Sequence, residues 1–176
     1  MKPANHIFSN LGTTVFTVMS QLATEHKSIN LGQGFPDGNG PDDVRMRAAH
    51  FLSDQPNQYP PMMGMPDLRQ AVAAHARTFY GLDVDWQQEG MVTSGATEAL
   101  AACFFGIINP GDEVVLIEPL YDSYLPIVKL AGGIPKLVRL TPPHWDLPRE
   151  TLAAAFSSKT KAVVVNSPMN PTGKVF

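Results

Sequence analysis

The sequence predicts an α/β fold, a three-layer, mostly parallel sheet with crossover helices. Three observations carry that prediction. Apolar runs of strand length, at 114–117, 134–140 and Lys161-Ala-Val-Val-Val165, alternate with stretches of helical periodicity. Turn residues separate them: Asn109-Pro-Gly-Asp112, Gly132-Gly133 and the Asn- and Pro-rich run from Asn166. The first and last of these runs are continuous rather than alternating, as in strands buried on both faces, and a helical stretch lies between successive runs, as parallel neighbours require.

From the amino end, Val15, Met19, Leu22 and Ala23 recur at helical spacing and predict a short helix over 14–27, part of an amphipathic arm. Ile29-Asn-Leu-Gly-Gln-Gly-Phe-Pro-Asp-Gly38 is a Gly/Pro loop whose backbone can bend and approach a ligand, or can simply join arm to domain. Pro41 and two Asp open a helix through Leu52, where orphan amides and the helix dipole favour them. Asn57-Gln-Tyr-Pro-Pro-Met-Met-Gly-Met-Pro66 is a loop. Pro66 opens a helix whose Leu68, Ala71, Val72, Ala76 and Phe79 share a face, and Gly81 ends it. A short strand is expected to end at Thr93, followed by a helix with Leu100, Cys103, Phe104, Ile107 and Ile108 on a buried face. Later helices are expected to 131 and over 148–157, with Trp145 as loop packing.

The turn Ser94-Gly-Ala-Thr97 combines small residues with a helix start. It presents free amides at the positive end of the dipole, a ready anion site with room for a phosphate group. Ser94 or Thr97 can equally be an N-cap. No Gly-Lys-Ser/Thr follows, so the turn is not a Walker loop. The Asn166–Gly173 stretch follows a strand, where open α/β sheets bind ligands, and it is also what an ordinary strand exit looks like.

Composition narrows the function classes. The net charge of −3 gives no reason to expect nucleic acid or an anionic membrane surface. No run approaches a membrane span, and Met-Lys-Pro-Ala-Asn-His lacks the apolar core of a signal peptide. A single cysteine, Cys103, excludes an internal disulfide and a Cys-based metal cluster, and is expected in the core. A cytoplasmic location and no metal are the expectations.

Asn166-Ser-Pro-Met-Asn-Pro-Thr-Gly173 resembles the N-x-P-x-N-P-T-G segment of class I aminotransferases, pyridoxal phosphate (PLP) enzymes of fold type I. Four further stretches resemble the family in its own order: Leu31-Gly-Gln-Gly-Phe-Pro36, Asn57-Gln-Tyr59 with Leu68-Arg69, Ser94-Gly-Ala-Thr-Glu-Ala-Leu100, and Gly111-Asp-Glu-Val leading to Pro119-Leu-Tyr-Asp-Ser-Tyr124. The resemblance implies that Gly95, Ala96 and Thr97 hold the PLP phosphate. Tyr121 would stack on the pyridine ring. Asn170 would bond the ring 3-oxygen near the substrate carboxylate, with Asn166 shaping the turn. Tyr59 would reach the cofactor phosphate of a neighbouring subunit, which implies a homodimer; its bland alternative is a half-buried tyrosine. Gly34 would contact the amino-acid carboxylate and Phe35 the substrate side chain. The parse it implies is an arm and small-domain segment over 1–44 and the first, incomplete part of the PLP-binding large domain over 45–176.

In the family the Schiff-base lysine, the pyridine-pairing Asp and the carboxylate-clamping Arg lie downstream of N-P-T-G. No lysine here sits in a matching motif, Lys174 included. The expectation is an amino-terminal part with no catalytic residue of its own, unable to transaminate alone. Leu11-Gly-Thr-Thr-Val-Phe-Thr, the 29–37 stretch and Tyr121-Asp-Ser-Tyr124 look most like the methionine and kynurenine aminotransferase branch, which passes an amino group from a hydrophobic or aromatic amino acid to a 2-oxo acid. The alternatives are a cysteine-conjugate β-lyase of that branch, or a non-catalytic aminotransferase-like fragment.

Overall fold

Chain contacts divide the protein into two units, Val15–Thr93 and Met1–Thr14 with Ser94–Phe176. The computed structural model describes every residue except Met1, Pro3, Ala4, Asn10, Phe35 and Asp37.

The first unit holds three helices, α1 (Val15–Glu25), α2 (Asp42–Asp54) and α3 (Pro66–Tyr80). Their ends follow local chemistry. Asp42 and Asp43 occupy the first turn of α2, and Pro66 is at the start of α3. Gly81 stops α3 in the left-handed region (φ 65°), and the Leu82 amide closes back onto the Ala76 carbonyl. The strand expected to end at Thr93 does not form. The Val92 amide instead makes one bond to the Met63 carbonyl (3.0 Å), with no ladder around it. Beside it Gly64 has φ 97°, and a β-carbon there would lie 2.5 Å from Val92 Cγ2. Arg69 is buried. It donates from Nε to the Gly90 carbonyl and from Nη2 to the Gln87 carbonyl, both at 2.8 Å, with its guanidinium 5.4 Å from the Trp86 ring centroid. The expected apolar face of α3 stays open to solvent at Leu68, Val72 and Phe79.

The second unit is built on a parallel three-stranded sheet in the order β2-β1-β3. Its strands are β1 (Glu113–Glu118), β2 (Ile134–Arg139) and β3 (Thr160–Val164). Both crossovers contain a helix, α5 (Tyr124–Leu130) and α6 (Arg149–Ala154), and α4 (Gly95–Ile107) precedes β1. The α/β parallel architecture is thus as the sequence predicts. Val114, Val115 and Leu116 are wholly buried because β1 has a neighbour on each edge. Phe104 of α4 and Ile108 at its C-cap pack with Ile127 and Val128 of α5 on Val114 and Leu116. Ile117, on the opposite side of the pleat, meets Leu140, Met169 and Trp145, so Trp145 is loop packing as expected.

Two expectations are corrected. Cys103 and Ile107 are exposed, while Phe104 and Ile108 point inward, because the sheet covers a narrower stripe of α4 than the apolar pattern spans. The last strand is not buried on both faces. Val163 and Val165 face solvent, since among the described residues β3 is paired on one edge only.

At the amino edge, Glu113 joins the strands. Its carboxylate accepts from Ser157 Oγ (2.6 Å) and lies 3.4 Å from Lys136 Nζ. These contacts, the Ser157 hydrogen bond first, hold its pKa below the ordinary glutamate value against the opposing effect of desolvation. Among the described residues no helix is long and apolar enough to cross a membrane, and no cluster of metal-ligating side chains occurs.

Candidate functional site

The strands are parallel, so the loops leaving β1 and β3 emerge at one carboxyl edge. This brings 119–123 and 165–175 to the same side of the sheet. Helix α4 reaches that side too. Its last turn meets the amino edge, where Ile108 and Pro110 crowd Gly133 and Gly132 just ahead of β2. Its thirteen residues span about 20 Å, similar to the length of the strands. The helix therefore carries Gly95, Ala96 and Thr97 toward the carboxyl edge.

At that helix start Gly95 has φ 79° with nothing within 4 Å of an added β-carbon, and Ala96 and Thr97 are exposed. Ser94 occupies the N-cap position without a side-chain cap bond. The Ser94 amide donates instead to the carboxylate of Glu98. An anionic oxygen is thus already held at the turn, by a residue whose role the sequence pattern did not mark.

Tyr121 is half-buried at the head of α5, and its ring meets Tyr124 edge-on (centroids 5.8 Å apart, 65°). The Tyr124 hydroxyl accepts from Asn166 Nδ2 at 3.3 Å. Asn170 lines a small pocket with Tyr124, Asn166, Leu120 and Phe176. Asn166 links the start of the turn to α5 through its bond to Tyr124. Tyr124 packs against the core and also receives this bond.

The Asn170 turn is closed on itself. The Gly173 amide bonds the Met169 carbonyl (2.7 Å), and the Met169 amide bonds the Lys174 carbonyl (2.8 Å). Lys174 Nζ donates to the His144 carbonyl (3.0 Å) and to Asp146 Oδ1 (2.6 Å). This engagement leaves Lys174 committed to the 144–146 loop. It also holds the Asp146 pKa below the ordinary aspartate value, by hydrogen bond first and charge second.

The remaining predicted residues lie in the first unit. Gly34 is exposed with nothing within 4 Å of an added β-carbon, and Phe35 lies outside the described residues. Tyr59 is 96% exposed at φ 52°, so the half-buried alternative does not hold. Left-handed backbone is uncommon for an aromatic residue, and it projects the ring from the loop.

Comparison with known proteins gives a consistent result. Residues 26–176 match the family described as aminotransferase class I and II. The chain is 45% identical over 166 residues to the methionine aminotransferase of Escherichia coli, covering 94% of this chain and 43% of that protein. A solved structure of an E. coli methionine aminotransferase superposes with a TM-score of 0.93 at 43% identity, over 100% of this chain and 46% of that one. A probable N-succinyldiaminopimelate aminotransferase of Mycobacterium tuberculosis is 47% identical over 165 residues (93% of this chain, 42% of that protein). Human kynurenine–oxoglutarate transaminase 1 is 39% identical over 169 residues (89% and 40%). The chain spans less than half the length of these relatives.

Proposed function

Because the chain belongs to the class I and II aminotransferase family, we propose that it carries the cofactor-holding part of a PLP-dependent transaminase. What supports this most directly is the small-residue start of α4, open at Gly95 and exposed at Ala96 and Thr97, in the unit whose strand-exit loops carry Tyr121 and Asn170. The fit to a phosphate is chemical as well as steric. Amides at a helix start point out along the positive end of the dipole, Gly95 and Ala96 add no bulk, and the Ser94 amide already donates to a carboxylate.

In this reading the amides of Gly95, Ala96 and Thr97 and the Thr97 hydroxyl bind the cofactor phosphate. Tyr121 binds the pyridine ring, and Asn170 orients it through the 3-oxygen. Gly34 and Phe35 belong to the substrate side. PLP, when bound, supplies an electron sink for the bonds at the amino acid's α-carbon. No catalytic residue is assigned within the 176 residues, and Lys174 is engaged with Asp146. Tyr59, exposed on its loop, serves the site of a second copy, so the working assembly is a homodimer. Residues 1–44 are arm and small-domain segment, and 45–176 begin the cofactor-binding domain.

The proposed donor is a hydrophobic or aromatic amino acid, methionine-like, and the acceptor a 2-oxo acid, in the cytoplasm. The methionine and kynurenine names among the relatives favour this over an acidic donor, whereas the M. tuberculosis relative's name points to a succinylated one. The test is a spectroscopic titration of the chain with PLP. Saturable binding is expected, weakened about tenfold by Thr97→Ala or by Tyr121→Ala. Absence of binding, or binding indifferent to both substitutions, would overturn the assignment.

A further inference from the structure

Asn170 sits between two anchors that end on the same strap, residues 140–147. On one side Met169, 5% exposed, inserts its side chain among Ile117, Leu140 and Trp145. On the other, Lys174 closes the turn with its backbone and reaches the strap with its side chain. An exposed ion pair alone contributes little. Here, however, the Lys174 side chain is only 28% exposed against 77% for Asp146, its ammonium also satisfies a backbone carbonyl, and the same residue's carbonyl receives the Met169 amide. One residue thus ties the ring of the turn to the strap. With that tie cut, the turn's hold on the strap would rest on Met169.

We propose that Lys174 and Asp146 form a positioning latch that holds Asn170 at the carboxyl edge of the sheet. The proposal rests on the reading of Asn170 as a ring-orienting residue, and neither latch residue touches the cofactor in it. Asp146 lies 28 residues before Lys174 on a different loop, so the latch makes the 140–147 strap part of the site's scaffold. The lowered pKa of Asp146 is consistent with a carboxylate held by the ammonium.

Amide hydrogen exchange and ligand titration test it together. In Lys174→Met, exchange at Met169 and Gly173 should accelerate about two- to tenfold while β1 amides are unchanged, and Lys174→Arg should restore protection. The same variant should bind PLP about two- to tenfold more weakly, but bind an analogue lacking the ring 3-oxygen as the unmodified chain does. Unchanged exchange at 169 and 173, or equal acceleration throughout β1, would overturn the latch. Equal weakening for PLP and the analogue would overturn its action through Asn170. Failure of the unmodified chain to bind either ligand would instead overturn the functional reading, with the exchange data still deciding whether the latch holds the turn.

Discussion

Asn166 donates a hydrogen bond to the Tyr124 hydroxyl across 42 residues of chain. It ties the exit of β3 to the head of α5, and with it the Asn170 turn to the helix beside Tyr121. Both partners are partly buried, so an unmatched amide there is only partly rescued by water. Tyr124→Phe should keep the ring packing and lose this one bond. The expected cost is about 1 kcal/mol in urea unfolding, with no change in m-value. A cost near zero would mean that water replaces the hydroxyl.

Arg69 is the buried cation of the first unit, and it serves two carbonyls of the 85–90 turn. Arg69→Met removes both bonds and leaves those acceptors short of donors. The unit should lose about 3 kcal/mol, read by denaturant unfolding through Trp86 fluorescence in a Trp145→Phe background. Arg69→Lys should not rescue it, because one ammonium on a thinner stem cannot reproduce the planar fork that reaches Gly90 and Gln87 together.

Glu113 has a folded-state pKa below its unfolded value. Its stabilising contribution is therefore complete above the unfolded value and is lost as pH falls through the lowered folded one. Stability should drop on acidification in that window, since the unfolded chain binds the proton more readily. Glu113→Gln should flatten this part of the stability-against-pH curve. Asp146 contributes with the same sign, through Lys174.

Glu98 places a fixed negative charge at the turn proposed for phosphate. Glu98→Gln keeps an acceptor for the Ser94 amide and removes that charge. Inorganic phosphate and PLP should both bind about two- to fivefold more tightly, an effect that added salt diminishes. Weaker binding would mean that the carboxylate is needed to shape the turn.

Where the physics is local, the sequence was legible. Pro66 and Gly81 bracket α3 because each supplies a backbone geometry the helix end needs. Val114 to Ile117 announced the central strand because only burial on both faces tolerates such a run. The anion turn was readable because small residues ahead of a helix have a direct electrostatic meaning. The errors arise where neighbours decide. The apolar residues of α4 show which stripe can be buried, not how much the sheet covers, and so Cys103 shares the pattern yet stays exposed. Met-Val before Thr93 has strand-like residues, but a strand needs a partner and the Met63 carbonyl offers only one bond. Lys174 with Asp146, and Asn166 with Tyr124, leave no periodic trace, being pairs made by tertiary folding alone.

The contact between Gly64 and Val92 carries a consequence for how the sequence can drift. Alanine at 64 meets two obstacles, a left-handed backbone and the Val92 side chain, and only the second depends on another residue. Shrinking Val92 to alanine first removes the collision and leaves the backbone strain. The two substitutions are therefore epistatic and ordered: the change at 92 is permissive for the change at 64, and the reverse route passes through a crowded intermediate. A library randomised at both positions should recover alanine at 64 mainly in company with a small residue at 92.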